Sequence, residues 1–240
     1  MRLFEKYILL LSQVRNVQGT LCFDREVLDI FLNAPYDVAA DFQGPQNVAM
    51  KGGRGKDHPR YGRFVYSFAK YYKPGHIVEV GTYAGGTSVG WARALAETGS
   101  GVLTCIDNDT YSHGTYPDIT RVNIGKTGLS SDRYTLLSGD SKTLIPELAL
   151  KYNRRIDIYL VDGDHTYEGA MADINNGIPM MKPGGFILVH DLDTNRKMNE
   201  ETAEHQHPVY EAFMETAEKY SFQWCILTFI RKHLGVIKIR

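Results

Sequence analysis

The feature that most constrains this chain is a repeated alternation between residues 77 and 189. Short apolar, β-branched runs at Ile77–Val80, Val102–Ile106, Tyr134–Ser138, Ile156–Val161 and Phe186–Val189 are separated by stretches with helical spacing. Those stretches fall at about Thr87–Thr98, within Tyr116–Ser131, at Ser141–Tyr152 and at Tyr167–Met181. Strands that alternate with helices predict a parallel sheet covered on both faces. Right-handed crossovers leave few topologies for it. A helix over Tyr61–Tyr72 precedes the first strand and stops before Pro74-Gly75, as a helix does before such a pair. After the alternation, Val209–Tyr220 reads as a helix, and Phe222–Ile230 and Leu234–Ile239 read as strands. The link between these two is too short for a crossover, so they must be antiparallel. The expected fold class is α/β: a doubly wound, seven-stranded sheet, mostly parallel, with a C-terminal antiparallel hairpin.

Residues 1–60 have another character. Leu3, Phe4, Ile8, Leu11 and Val14 recur at helical spacing, and a second short helix follows Asp24. From residue 34 to 60, prolines, glycines and the charges of Lys51, Arg54, Lys56 and Arg60 read as a lid-like loop. The expected division is therefore 1–60, helices and loop, and 61–240, one ligand-binding domain. A chain of 240 residues, 43% hydrophobic, is long enough for one large core. The net charge of −1 and the lack of a dense Lys/Arg run argue against nucleic acid as a partner. Tyr7–Leu11 is too short to span a membrane and has no cleavage site after it. Cys22, Cys105 and Cys225 are too few and too scattered for a disulfide or zinc framework. These features predict a cytoplasmic protein, and the apolar N-terminal helices offer a face for a second copy in a homo-oligomer.

The stretch Glu79-Val80-Gly81-Thr82-Tyr83-Ala84-Gly85-Gly86-Thr87-Ser88 carries the most chemistry. It is a strand end, a glycine-rich turn and a helix start marked by Thr87 or Ser88. In an open α/β sheet, ligands bind outside the carboxyl ends of the strands. The spacing is Gly-x-x-x-Gly-Gly, not the Gly-x-Gly-x-x-Gly of dinucleotide binders. Glu79 beside the loop is poor company for a pyrophosphate and suits a cationic ligand. Acids also end the next strands: Asp107 with Asn108, then Asp140 with Ser141, then Asp162-Gly163-Asp164-His165-Thr166-Tyr167-Glu168, and finally His190-Asp191 after a Lys-Pro-Gly-Gly turn. Asp107 can accept hydrogen bonds from both hydroxyls of a ribose. Asp140 or Ser141 also suits the N-cap of the following helix. Tyr83, Tyr111, Tyr116 and Tyr167 lie near the strand ends and are candidates for stacking on a ligand. His205-x-His207, just before Pro208, reads as a pre-helix turn rather than a metal site.

Taken together, residues 75–195 resemble the class I S-adenosylmethionine-dependent methyltransferases of Rossmann-like fold. The Asp162–Glu168 run is similar to that of the macrocin- and novobiocin-type O-methyltransferases of small molecules and sugars (methyltransferase 24-like). The resemblance implies methyl transfer from S-adenosylmethionine to a hydroxyl of a small-molecule acceptor: a sugar, a natural product or a phenol. It implies a cofactor site at Glu79, Gly81, Thr82, Tyr83, Gly85, Ser88, Asp107, Asn108, Asp140, Ser141 and Asp162. It implies a divalent cation, Mg²⁺ or Mn²⁺, on Asp162, His190 and Asp191, a donor set suited to such ions. Asp164 takes the place of the general base, with His165 and His190 as further proton carriers. For Asp164 to work, its pKa must be raised or the acceptor's lowered by the metal. A cephalosporin-hydroxylase-like enzyme and a non-catalytic cofactor-binding protein are the alternatives on the same fold.

Overall fold

The sheet accounts for all seven of the predicted strands. The structure, a computed structural model, describes residues 18–19, 58–110, 114, 116–192, 205–227 and 233–240. The predicted helices of 1–33, most of the 34–60 loop, Tyr111 and the segment 193–204 lie outside the described residues. The strands are β1 (Gln18–Gly19), β2 (His76–Val80), β3 (Val102–Asp107), β4 (Tyr134–Ser138), β5 (Ile156–Val161), β6 (Met181–His190), β7 (Gln223–Leu227) and β8 (Leu234–Lys238). The helices are α1 (His58–Tyr72), α2 (Ser88–Thr98), α3 (Asp118–Gly125), α4 (Ser141–Lys151), α5 (Tyr167–Gly177) and α6 (Pro208–Lys219). All seven predicted strands form, and two-residue β1 adds an eighth at the edge.

The strand order is β1-β7-β8-β6-β5-β2-β3-β4. Strands β2 to β6 pair in parallel, and β8 runs antiparallel to both β6 and β7. The predicted hairpin therefore does not simply extend the sheet. Its second strand slots between β6 and its first strand. Side chains alternate between two apolar layers. On one face, Ile77, Leu103 and Leu160 pack with Phe64, Phe68, Trp91 and Leu95 of α1 and α2. On the other, Val78, Tyr159 and Ile187 pack with Ile145, Ile174 and Phe213 of α4, α5 and α6. Helices on both faces explain why the strands read as near-continuous apolar runs rather than as alternating ones.

Two details depart from the sequence expectation. The Lys182-Pro183-Gly184-Gly185 segment lies inside β6, not before it. Met181 pairs with Ile156 and Phe186 with Ile158, so these four residues bulge out of the ladder. The predicted helix Tyr167–Met181 ends at Gly177 and tightens into a 3₁₀ turn, Ile178–Met180, where Pro179 removes the next helical N–H donor.

Helix α1 approaches α2 very closely. A Cβ built on Gly90 would lie 2.6 Å from the carbonyl oxygen of Gly62. That contact fixes the start of α1, and with it Tyr61, against the end of the sheet that carries the ligand site.

Candidate active site

A cavity of about 590 Å³ opens at the carboxyl ends of β2 to β6. That size lies within the roughly 300–1,000 Å³ usual for small-molecule sites. Its wall is assembled from the loop after each strand. Gly81 and Tyr83 come from β2, Asp107 and Asn108 from β3, Asp140 and Ser141 from β4, Asp162 to His165 from β5, and His190 and Asp191 from β6.

The β2 loop is shaped by close backbone contact. Gly81 has φ 83°, and a Cβ there would lie 1.9 Å from the Asp162 carbonyl oxygen. Only glycine permits both the conformation and the approach. Tyr83 also adopts a left-handed backbone, φ 52°, and its N–H donates to Asp107 Oδ2 at 2.6 Å. Asp107 Oδ1 accepts from the Asp109 N–H at 2.7 Å. Each of its oxygens keeps a lone pair for a ligand hydroxyl. Asp140 caps α4 by accepting from the Lys142 N–H at 2.9 Å.

Four of the expected cofactor residues lie behind the wall instead of on it. Glu79 is buried under the loop, and its Oε2 accepts from the Ser88 hydroxyl at 2.7 Å. Ser88 is thus spent on Glu79, and Thr87 holds the N-cap position without a side-chain bond. Thr82 donates to the Ile106 carbonyl at 3.2 Å, and Gly85 packs on Thr120. These four hold the loop's shape. Burial pushes the Glu79 carboxyl up to about 8; the Ser88 hydrogen bond opposes the rise and the charge of Asp162 adds to it.

At the far end of the cavity, two acids and two imidazoles converge. His190 Nδ1 lies 3.1 Å from Asp162 Oδ1 and 3.4 Å from Asp191 Oδ1. His165 Nε2 lies 3.1 Å from Asp191 Oδ2 and 3.7 Å from Asp162 Oδ1. Burial works against charge on Asp162, but His190 and His165 outweigh it and hold its carboxyl well below the usual range. Asp191 is buried and has φ 65°, a costly backbone for a non-glycine residue. The donor atoms that gather within 4.8 Å of one another are those of Asp162, His165 and Asp191. His165 joins the two acids in that grouping, where the expected trio had His190, whose Nδ1 also lies 3.1 Å from Asp162 and 3.4 Å from Asp191. The His190 ring stacks flat on Tyr61, at 4.3 Å and 7°. Two carboxylates and one imidazole fit a hard divalent cation.

Asp164 faces the cavity with its carboxylate already engaged. It accepts from Lys142 Nζ at 3.0 Å, from the Thr166 N–H at 3.0 Å and from the Thr166 hydroxyl at 2.8 Å. Burial pushes its pKa up, but these bonds more than offset it, and the net shift is downward. The condition that Asp164 be raised is therefore not met. Only an acidified acceptor leaves it a role as base.

Other sequence candidates are structural. Tyr116 donates to the carbonyls of Cys105 and Leu137, bridging β3 and β4. Tyr167 stacks on His205, whose Nδ1 lies 2.7 Å from Glu211, and His207 caps α6; the pre-helix turn reading holds. Sequence reasoning missed Tyr61 and Lys142 on the wall. Lys142 follows the Asp140-Ser141 motif directly, and that adjacency was the available signal. Tyr61 had none, because it reaches the site only through the packing of α1.

A family model described as a methyltransferase domain matches residues 78–192, the span that builds the cavity from β2 to β6. That stretch, just under half of the chain, is similar to class I S-adenosylmethionine-dependent methyltransferases. An inferred O-methyltransferase of Mycolicibacterium vanbaalenii is 27% identical over 75% of this chain and 75% of its own length. One from a Mycobacterium sp. is 28% identical over 59% of this chain and 60% of its own length. Among solved structures, the O-methyltransferase TomG of Streptomyces achromogenes, in complex with S-adenosylmethionine, has a TM-score of 0.63 at 13% identity, covering 100% of this chain and 99% of that one. The Bacillus cereus O-methyltransferase, in complex with S-adenosylhomocysteine, has a TM-score of 0.60 at 15% identity, covering 99% and 100%. These structures share the fold of this chain. Among its described residues, no helix is long and apolar enough to cross a membrane.

Proposed function

We propose that this methyltransferase moves the methyl group of S-adenosylmethionine onto a hydroxyl of a small molecule. The observation that carries the reading is one continuous cavity, running from the Gly81 turn past Asp107 and Asp140 to the Asp162–His165–Asp191 cluster. The methionyl part lies at the glycine turn, the ribose hydroxyls on Asp107, and the adenine beside Asp140 and Ser141. The sulfonium then sits toward the acids, whose negative charge favours it.

Methyl transfer is an in-line displacement, so the protein's main task is to hold donor and acceptor at the right distance and angle. A neutral hydroxyl is a weak nucleophile near pH 7 and must lose its proton. A divalent cation held by Asp162, His165 and Asp191 would acidify the acceptor hydroxyl. Asp164, held ionised by Lys142 and Thr166, then accepts the proton.

The test is calorimetry followed by an activity assay. S-adenosylhomocysteine should bind and raise Tm, while NAD should do neither. Methyl transfer to catechol should need Mg²⁺ or Mn²⁺ and stop with EDTA. Binding of NAD in place of S-adenosylhomocysteine would overturn the cofactor assignment. Full activity in EDTA would overturn the role of the cation.

A further inference from the structure

Tyr61 enters the cavity from α1 and belongs to none of the strand-end motifs. It is 4% exposed and lies on the cavity wall, its ring parallel to His190. Its hydroxyl has no hydrogen-bond partner among the described residues. The other three buried tyrosines among the described residues have paired hydroxyls. Tyr66 donates to Glu97 at 2.7 Å, Tyr159 to the Asp173 carbonyl at 3.0 Å, and Tyr116 to two strand carbonyls. A buried hydroxyl without an acceptor is a standing cost to the fold, and one on a ligand-site wall points to a bound molecule as its missing partner.

The surroundings say what kind of atom that partner is. Burial is the main force against a negative charge at Tyr61, and the carboxylates of Asp162 and Asp191 act in the same direction. The phenol therefore stays protonated and donates. A carboxylate brought to the same place would be repelled by Asp162 and Asp191. An uncharged oxygen would not.

We infer that Tyr61 is a specificity-determining residue whose hydroxyl donates a hydrogen bond to an uncharged oxygen of the methyl acceptor, beside the hydroxyl that is methylated. The inference deepens the methyltransferase reading and rests on it. It also gives the stacked ring a purpose: the same residue that meets the acceptor keeps the His190 imidazole in plane, with Nδ1 turned to Asp162.

Tyr61→Phe keeps the ring on His190 and removes only the oxygen. Three measurements decide the matter: Tm of the free protein, S-adenosylhomocysteine affinity by calorimetry, and transfer of labelled methyl to catechol with Mg²⁺. The free variant should melt at the same temperature as the wild type or up to about 4 °C higher, since an unpaired polar atom has gone. S-adenosylhomocysteine affinity should stay within about twofold, while kcat/KM for catechol should fall about 20-fold or more, because the acceptor's oxygen loses its donor. A Tm lower by more than about 2 °C would mean that the hydroxyl has a protein partner, overturning the inference. Tenfold weaker S-adenosylhomocysteine binding would assign Tyr61 to the cofactor, and unchanged kcat/KM would leave it no role at the acceptor; either outcome also overturns it. If the wild type itself fails to bind S-adenosylhomocysteine, the methyltransferase reading falls and takes the inference with it. That result is distinct from a wild type that binds normally beside a variant that breaks the pattern.

Discussion

Replacing Glu79 with glutamine should make the protein more stable in mild alkali, although it removes an acid from the best-marked motif in the chain. The new amide would keep an oxygen for the Ser88 hydroxyl and lose only the charge. In the folded protein Glu79 titrates at about 8 against 4.5 for an unburied glutamate. Between those two values the folded chain holds a proton that the unfolded chain has released, so stability falls as pH rises. One pKa unit is worth about 1.4 kcal/mol, so the shift corresponds to roughly 4–5 kcal/mol across the full window and about 3 kcal/mol between pH 5.5 and 8. The variant lacks this slope. Urea denaturation of both proteins at pH 5.5, 7 and 8 measures it. The stability difference, variant minus wild type, should grow by about 3 kcal/mol over that range, with m unchanged. A difference that stays flat to within about 0.5 kcal/mol would refute the claim that Glu79 is buried without a compensating positive charge.

Gly81→Ala should abolish S-adenosylhomocysteine binding measured by calorimetry, because the new Cβ has no room against the Asp162 carbonyl and the backbone there is left-handed. Gly90→Ala should cost about 1–3 kcal/mol in a urea titration and lower turnover as well, since it pushes the start of α1 and Tyr61 off α2. Asp164→Asn should lower kcat by about 100-fold or more while S-adenosylhomocysteine affinity stays intact; full activity in that variant would remove Asp164 from the chemistry.

The cavity wall was legible in the sequence wherever function sits at a strand end. A parallel strand ends in a loop that faces the ligand, so the acid or glycine after each apolar run carries its own address: Gly81, Asp107, Asp140, Asp162, Asp191. Which of the motif residues face inward was not legible. Glu79, Thr82, Gly85 and Ser88 share the Gly81 motif, yet they turn away, a distinction set by single backbone angles. The charge state of Asp164 was hidden for a related reason. It depends on Lys142, 22 residues earlier and on another strand's loop. Tyr61 was invisible because a tyrosine at a helix start has no local signature. Its place follows from the Gly62–Gly90 contact between two helices. The order of the last strands was half legible: the hairpin's direction follows from its short link, but nothing local says that its second strand goes inside.

That inside position has a consequence for how the protein comes into being. Strand β8 joins β6 to β7, and its Leu234 pairs with His190 at the mouth of the cavity. Until Leu234–Lys238 has been synthesised, β6 is an open edge, β7 has no place to dock, and the loop bearing His190 and Asp191 hangs from an unfinished sheet. A nascent chain can therefore assemble the β2–β4 side of the cavity early, but the β6 side must wait until Leu234–Lys238 has emerged.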